Sequence, residues 1–198
     1  MSKVVCDISV SADGFSAGRD QTEERPFGDA DESMLHSWMF ATAEENQAEI
    51  DAILQARAFI MGRNMFGPIR GEWSRDWTGW WGPEPPYHAP VFVLTHHPRD
   101  PVAMEGGTTY HFVTDGPEAA LEQARAVPGD ANIAIAGGAS TVNQYLAAGL
   151  LDELRLHITP FTLGAGTRVF DGVPPLHLEQ ISSRAATRVT HVTYRVLH

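Results

Sequence analysis

Asn132-Ile133-Ala134-Ile135-Ala136-Gly137-Gly138-Ala139-Ser140-Thr141-Val142-Asn143-Gln144-Tyr145-Leu146 is the stretch whose reading decides the fold. Residues 132–136 read as a short buried strand, Asn132 leading into the apolar Ile133-Ala134-Ile135-Ala136. Gly137-Gly138 ends it. Ser140 is placed to cap a helix carrying Val142, Tyr145 and Leu146 at helical spacing, closed by Gly149. A buried strand, a glycine pair and an amphipathic helix in direct succession make one unit of a parallel sheet.

Working outward, the same grammar recurs. Ala58-Phe59-Ile60-Met61, ended by Gly62, and Val91-Phe92-Val93-Leu94 are two further buried runs, with Thr109 to Val113 a third. Lys3 to Val10 alternates, with Val4, Cys6, Ile8 and Val10 on one face and Lys3, Asp7 and Ser9 on the other. Asp13-Gly14 then turns the chain, and 17–31 reads as a polar surface loop. Thr42-Ala43-Glu44-Glu45 has the form of a capping box, predicting a helix that runs to about Arg57. Asp115 and Glu118 flank a second helix start, with Ala120, Ala124 and Val127 as its apolar stripe. Asp152 to Thr159 reads as a strand, and 176–181 and 187–197 alternate like an antiparallel pair. The pattern predicts an α/β domain over residues 1–198, with a mixed, mainly parallel sheet, helices on its faces and an antiparallel C-terminal edge. Residues 67–90 stand apart. They hold Trp73, Trp77, Trp80 and Trp81 among five prolines with no period, and a loop of that length is normally functional or disordered. The tryptophans argue against disorder.

Bulk composition narrows the function. With 25 acidic and 14 basic side chains the net charge is −11, which repels phosphate backbones and leaves no basic patch for nucleic acid. The N-terminus shows no basic segment followed by an apolar one, and no apolar run reaches membrane-spanning length, so a soluble cytoplasmic protein is expected. The single Cys6 excludes a disulfide framework or a multi-thiolate zinc site, and its place in an apolar run suits a buried, inert thiol. The histidines match no metal spacing, and no Gly-x-Ser-x-Gly elbow occurs. Gly164-Ala165-Gly166-Thr167-Arg168 begins like a dinucleotide fingerprint but lacks the third glycine and opens no helix.

Three of the apolar strands end in small or polar residues: Gly62-Arg63-Asn64, Thr95-His96-His97 and Gly137-Gly138-Ala139-Ser140-Thr141. Ligands of open parallel sheets collect beyond the carboxyl ends of the strands. A glycine pair before a helix lets backbone N–H groups reach a pyrophosphate, and Arg63 adds a permanent, forked cation.

Phe59 to Phe66, Val91 to Thr95, Ile135 to Ser140, Leu150 to Leu156 and Pro160 to Phe170 resemble, in order and spacing, the dihydrofolate reductase superfamily. The last two blocks are most similar to the branch containing the C-terminal reductase domain of bacterial riboflavin biosynthesis proteins. The resemblance implies a three-layer dihydrofolate reductase-like fold, a homodimer and an NADPH cofactor. It implies that Gly62, Arg63, Asn64 and Met65 contact that cofactor, that Thr95 and His96 meet its adenosine phosphate side, and that Gly137, Gly138, Ala139, Ser140 and Thr141 hold its pyrophosphate. It also implies a cis peptide between Gly137 and Gly138. Arg63, with His97 or Arg99 nearby, would pair with the extra phosphate of NADPH. The third glycine of the family pattern is Ala139 here. The acidic residue with which dihydrofolate reductases grip a pterin has no clean match: Asp29, Asp31, Glu32, Asn46 and Asp51 compete for it. Asp13 is a candidate for positioning substrate or relaying a proton, and equally an ordinary turn residue. Trp80 and Trp81 are candidates for an aromatic wall against a flat heterocycle, and equally part of a self-packed loop or dimer contact. The implied activity is hydride transfer to a small planar heterocycle, pterin-like or aminopyrimidine-like. The alternatives are a non-catalytic nucleotide- or ligand-binding module that keeps the fold, or a true dihydrofolate reductase.

Overall fold

The computed structural model describes residues 2–198, except for the side chain of Glu32. In chain order the elements are β1 (Val4–Ser11), β2 (Phe15–Ala17), α1 (Glu32–Phe40), α2 (Gln47–Leu54), β3 (Ala56–Gly62), α3 (Arg63–Phe66), β4 (Pro90–Leu94), β5 (Val102–Ala103), β6 (Thr109–Val113), α4 (Pro117–Ala126), β7 (Asn132–Gly137), α5 (Ala139–Ala147), β8 (Glu153–Thr159), β9 (Thr167–Arg168), β10 (His177–Ala186) and β11 (Val189–Leu197). Nine strands form one sheet in the order β10-β11-β8-β1-β7-β3-β4-β6-β5. Strands β8, β1, β7, β3, β4 and β6 run parallel, and β11 and β10 add the antiparallel edge. This is the mixed sheet that the sequence pattern predicts, and it has the dihydrofolate reductase-like architecture.

Two apolar clusters sandwich the sheet. Val4, Cys6, Ile8 and Val10 of β1 face Leu121 of α4 and Val142, Tyr145 and Leu146 of α5. On the other face Phe59, Met61, Val91, Val93 and Tyr110 pack with Phe66 and Tyr87, and Trp73 and Trp77 close over them. The loop of 67–89 is therefore irregular but packed: its indoles do the work of a helix over β3, β4 and β6. Cys6 is fully buried, as expected for an inert thiol.

Several local expectations are corrected. The Thr42–Glu45 capping box does not form. Thr42 Oγ1 instead donates to Trp38 O at 3.3 Å, while the Glu45 carboxylate accepts from Thr187 N. Residues Ala43–Asn46 make a 3-10 turn leading into α2, which stops at Leu54 because β3 begins two residues later. Ser140 is not the cap of α5. Gly138 occupies that position, and its carbonyl accepts from Thr141 N and Val142 N. Helix α1 shows no period in the sequence, since among the described residues only Leu35 and Trp38 are buried in it. Among the described residues no helix is long and apolar enough to cross a membrane.

Candidate functional site

Because β7, β3 and β4 are parallel neighbours, their carboxyl ends open on one edge of the sheet. That single fact gathers the three strand-end motifs. Gly137 has φ +101°, a conformation suited to glycine, and the Gly137–Gly138 peptide is cis. A Cβ built on either glycine would meet no atom within 4 Å beyond its chain neighbours, so the space beside this backbone is open. The first N–H groups of α5 point out of its N-terminus, where no intrahelical acceptor exists. Here the helix field favours an anion. Thr141 is buried and Ser140 exposed. Gly62 approaches Thr141 so closely that a Cβ on it would overlap Thr141 Oγ1. Glycine is required there for proximity, since its φ of −78° would suit any residue.

Arg63 opens the short α3 and is fastened to the next strand end. Its Nη1 donates to Thr95 Oγ1 at 2.9 Å and its Nη2 to Gly71 O at 2.7 Å, while Nε is buried without an acceptor. Its guanidinium lies over the Trp73 ring, 3.5 Å from the centroid. Burial, with the charges of Arg70 and Arg99 nearby, lowers its pKa, and the Glu72 carboxylate opposes that shift. Thr95 is held by Val113 O and in turn accepts from His97 N at 3.1 Å. His97 Nδ1 meets Glu72 Oε1 at 3.0 Å, and His96 and Asn64 are exposed at the same edge. Met65 is half-buried against the aromatic cluster.

Asp13 has a different situation. Its Oδ1 accepts from Ser11 Oγ at 2.6 Å and from Leu163 N at 3.0 Å, and its Oδ2 accepts from Gly164 N at 2.7 Å. Led by the Ser11 hydrogen bond, these contacts hold the carboxyl down to about 2. It clasps the loop after β8 onto the β1–β2 turn, beside a hollow of about 360 Å³ that Arg168 and Asp171 also line. Trp80 packs against Trp77 with centroids 4.8 Å apart, and Trp81, 48% exposed, donates to Tyr87 Oη. Their partners Trp77 and Tyr87 belong to the apolar cluster over β3, β4 and β6, and neither Trp80 nor Trp81 lines the hollow beside Asp13.

The acidic candidates scatter. Asp29 accepts from Arg19, Asp31 caps α1 through Ser33 N, and Asp51 accepts from Gln47. The side chain of Glu32 lies outside the described residues. Asn46 is a buried hub: its Nδ2 donates to Trp38 O and Thr42 O, and its Oδ1 accepts from Arg184 and His191.

That hub belongs to a network that the sequence hid. The face of β1 bearing Asp7 and Ser9 looks polar, yet α1, through Trp38, covers it, with the buried Asn46 of the 3-10 turn beside it. His157 Nδ1 and His191 Nδ1 are 2.7 Å apart, and His157 Nε2 lies 3.3 Å from Asp7 Oδ1. Asn46 Oδ1 can only accept, so a neutral His191 donates through Nε2, and its Nδ1 accepts a hydrogen bond from His157 Nδ1–H. Trp38 packs its ring against His157 at a tilt, with centroids 4.5 Å apart, and donates to Ser9 Oγ at 3.0 Å. Desolvation, then the His157 ring, pushes His191 down to about 4. Among the described residues no group of three or more His, Cys, Asp or Glu is placed to hold a metal.

The sheet order, the strand-end edge and the helix N-terminus define an α/β domain of the dihydrofolate reductase type. The sequence profile described as "RibD C-terminal domain" matches residues 2–192, and the chain belongs to that family. It is 26% identical over 197 residues to the uncharacterized protein YyaP of Bacillus subtilis, covering 97% of this chain and 94% of that one. A solved pyrimidine reductase-like protein from Corynebacterium diphtheriae superposes with a TM-score of 0.60 at 16% identity, over 100% of this chain and 92% of that one. Dihydrofolate reductase from Enterococcus faecalis, complexed with NADP(H), gives 0.59 at 15% identity, over 98% and 96%.

Proposed function

We propose that this chain is an NADPH-dependent reductase acting on a small planar heterocycle, pterin-like or aminopyrimidine-like. The observation that carries the proposal is the convergence of Arg63–Thr95 and the open Gly137–Gly138 backbone on one sheet edge. The residues present fit a phosphate-bearing dinucleotide. Gly137 and Gly138 leave a cradle, the first turn of α5 offers N–H groups at Ala139 and Ser140, and Arg63 supplies a cation beside Thr95. Thr141 and Gly62 set the close approach between the two arms of the site. Asn64, Met65 and His96 border it. When bound, NADPH supplies the hydride; the chain binds, orients and shields the reacting partners. A proton must accompany the hydride onto a carbon–nitrogen or carbonyl bond. Asp13 is a weak candidate for that donor, because a carboxyl held down to about 2 stays ionised at neutral pH. We assign Asp13 to positioning the 163–164 loop.

The engagement of Asp13 also supports a second reading, a nucleotide-binding module without turnover. NADPH oxidation, followed by nicotinamide absorbance across a panel of pterins and aminopyrimidines, separates the two. Heterocycle-dependent oxidation that is lost in R63A establishes the reductase. Oxidation by no member of the panel, with nucleotide binding intact, selects the module.

A further inference from the structure

Trp73 sits in the irregular segment between α3 and β4, yet its ring carries two cations. Arg63 Cζ stands 3.5 Å from the indole centroid and Arg99 Cζ 5.0 Å. The indole is itself fixed. Its Nε1 donates to His97 O at 3.0 Å, and its ring meets Phe66 and Phe112 edge-on, with centroids 5.9 and 5.1 Å away. Arg99 is further anchored by donating to Trp77 O at 2.6 Å. Trp73 therefore ties the 95–99 segment, Arg63 and the loop into one block.

The choice of an aromatic partner has a chemical consequence. A carboxylate under Arg63 would cancel its charge and occupy its N–H groups. A π face steadies the guanidinium plane while leaving both available. Nη1 and Nη2 each donate one bond within the protein, so each keeps a second N–H. The three cations Arg63, Arg70 and Arg99 face two acids, Glu72 near Arg63 and the fully exposed Asp76, 3.9 Å from Arg99, so the cluster keeps an excess of one positive charge. A fixed plane with spare donors and surplus charge suits a phosphomonoester dianion.

We infer that Trp73 is the positioning residue that makes the nucleotide site selective for a ligand bearing an extra phosphomonoester, by stacking under Arg63. This rests on the reading of the strand-end edge as a dinucleotide site. Asp13 and the His157–His191 pair take no part in it.

Calorimetric titration of wild type, W73L and W73F with NADPH and with NADH tests it. Wild type is expected to prefer NADPH. In W73L that preference falls by about tenfold, almost wholly through weaker NADPH binding, the scale set by losing a cation–π contact that orients a charged group. W73F, which keeps a ring face, restores most of the preference. A merely structural role would weaken both nucleotides alike, and that result overturns the inference, as does an unchanged preference in W73L. Wild type that binds neither nucleotide refutes the site reading instead. Circular dichroism confirms that W73L is folded. Should it unfold, R63K replaces it: lysine keeps the charge without a plane to stack, and retained selectivity in R63K overturns the inference.

Discussion

Gly62→Ala is the most informative single perturbation of the proposed site. The added methyl would project at Thr141 Oγ1, leaving the pair about 1 Å short of van der Waals separation. The backbone gives no compensating penalty or relief, since φ is −78°. Thr141 is buried in the first turn of α5 and cannot swing into solvent. The strain must move α5 away from β3 or force an off-rotamer threonine, which costs about 2 kcal/mol. For a chain of this size that is a Tm fall of about 4–8 °C. Thr141→Ala alone truncates a buried side chain and costs about 1 kcal/mol. In the double variant the methyl faces Thr141 Cβ at 3.6 Å, an ordinary contact, and the strain disappears. Urea unfolding is expected to place G62A/T141A near T141A alone, about 2 kcal/mol better than the sum of the single changes. G62A/T141V keeps the overlap and is expected to stay destabilised. An additive double variant, or a G62A as stable as wild type, refutes the close approach on which the site geometry rests.

Other outcomes follow from the same structure. His191, ordinarily near 6.5, titrates at about 4 in the fold, so the unfolded chain binds the extra proton between those values. Its contribution to stability is complete above 6.5 and is lost as pH falls toward 4, by up to about 3 kcal/mol. Urea midpoints should track that window and flatten in H191F; an identical pH slope in H191F contradicts the assignment. Asn46→Ala strands the His191 Nε2–H and leaves the Trp38 carbonyl with only its weak bond from Thr42 Oγ1, and is expected to cost about 2–4 kcal/mol in chemical denaturation. A loss below about 0.5 kcal/mol would mean that the hub is replaceable by water. Asp13→Ala should speed amide exchange at Leu163 and Gly164 with little change in nucleotide affinity, and its carboxyl contribution should vanish as pH falls from 3.8 through about 2. Abolished NADPH binding in D13A would move Asp13 into the cofactor site. A homodimer is proposed, with the exposed Ile181 and Leu197 of the β10–β11 hairpin available for contact; a monomer by light scattering at micromolar concentration overturns it.

What the sequence revealed and what it hid divide along physical lines. Buried parallel strands announce themselves as short apolar runs, so β3, β4 and β7, and with them Gly62, Thr95 and Gly137, were legible at once. Polar residues buried by pairing with one another carry no such mark. Asp7, Ser9, His157 and His191 alternate like a solvated face, and only the three-dimensional juxtaposition of β1, β8 and β11 shows them covered. The capping box failed for a related reason: Glu45 found a backbone donor at Thr187, 142 positions away in the chain. The Trp-rich segment could be read as packed, but a lack of period conceals which strand each indole covers. Trp73 became interpretable only beside Arg63.

The most direct test of the account is titration of the wild-type chain with NADPH, and separately with NADH, following tryptophan emission. Trp73 lies against Arg63, so occupancy of the strand-end edge should quench it. The account predicts saturable quenching with NADPH at markedly lower concentration than with NADH, and loss of that difference in R63A. Absence of binding by either nucleotide, or equal affinity for both, would contradict it.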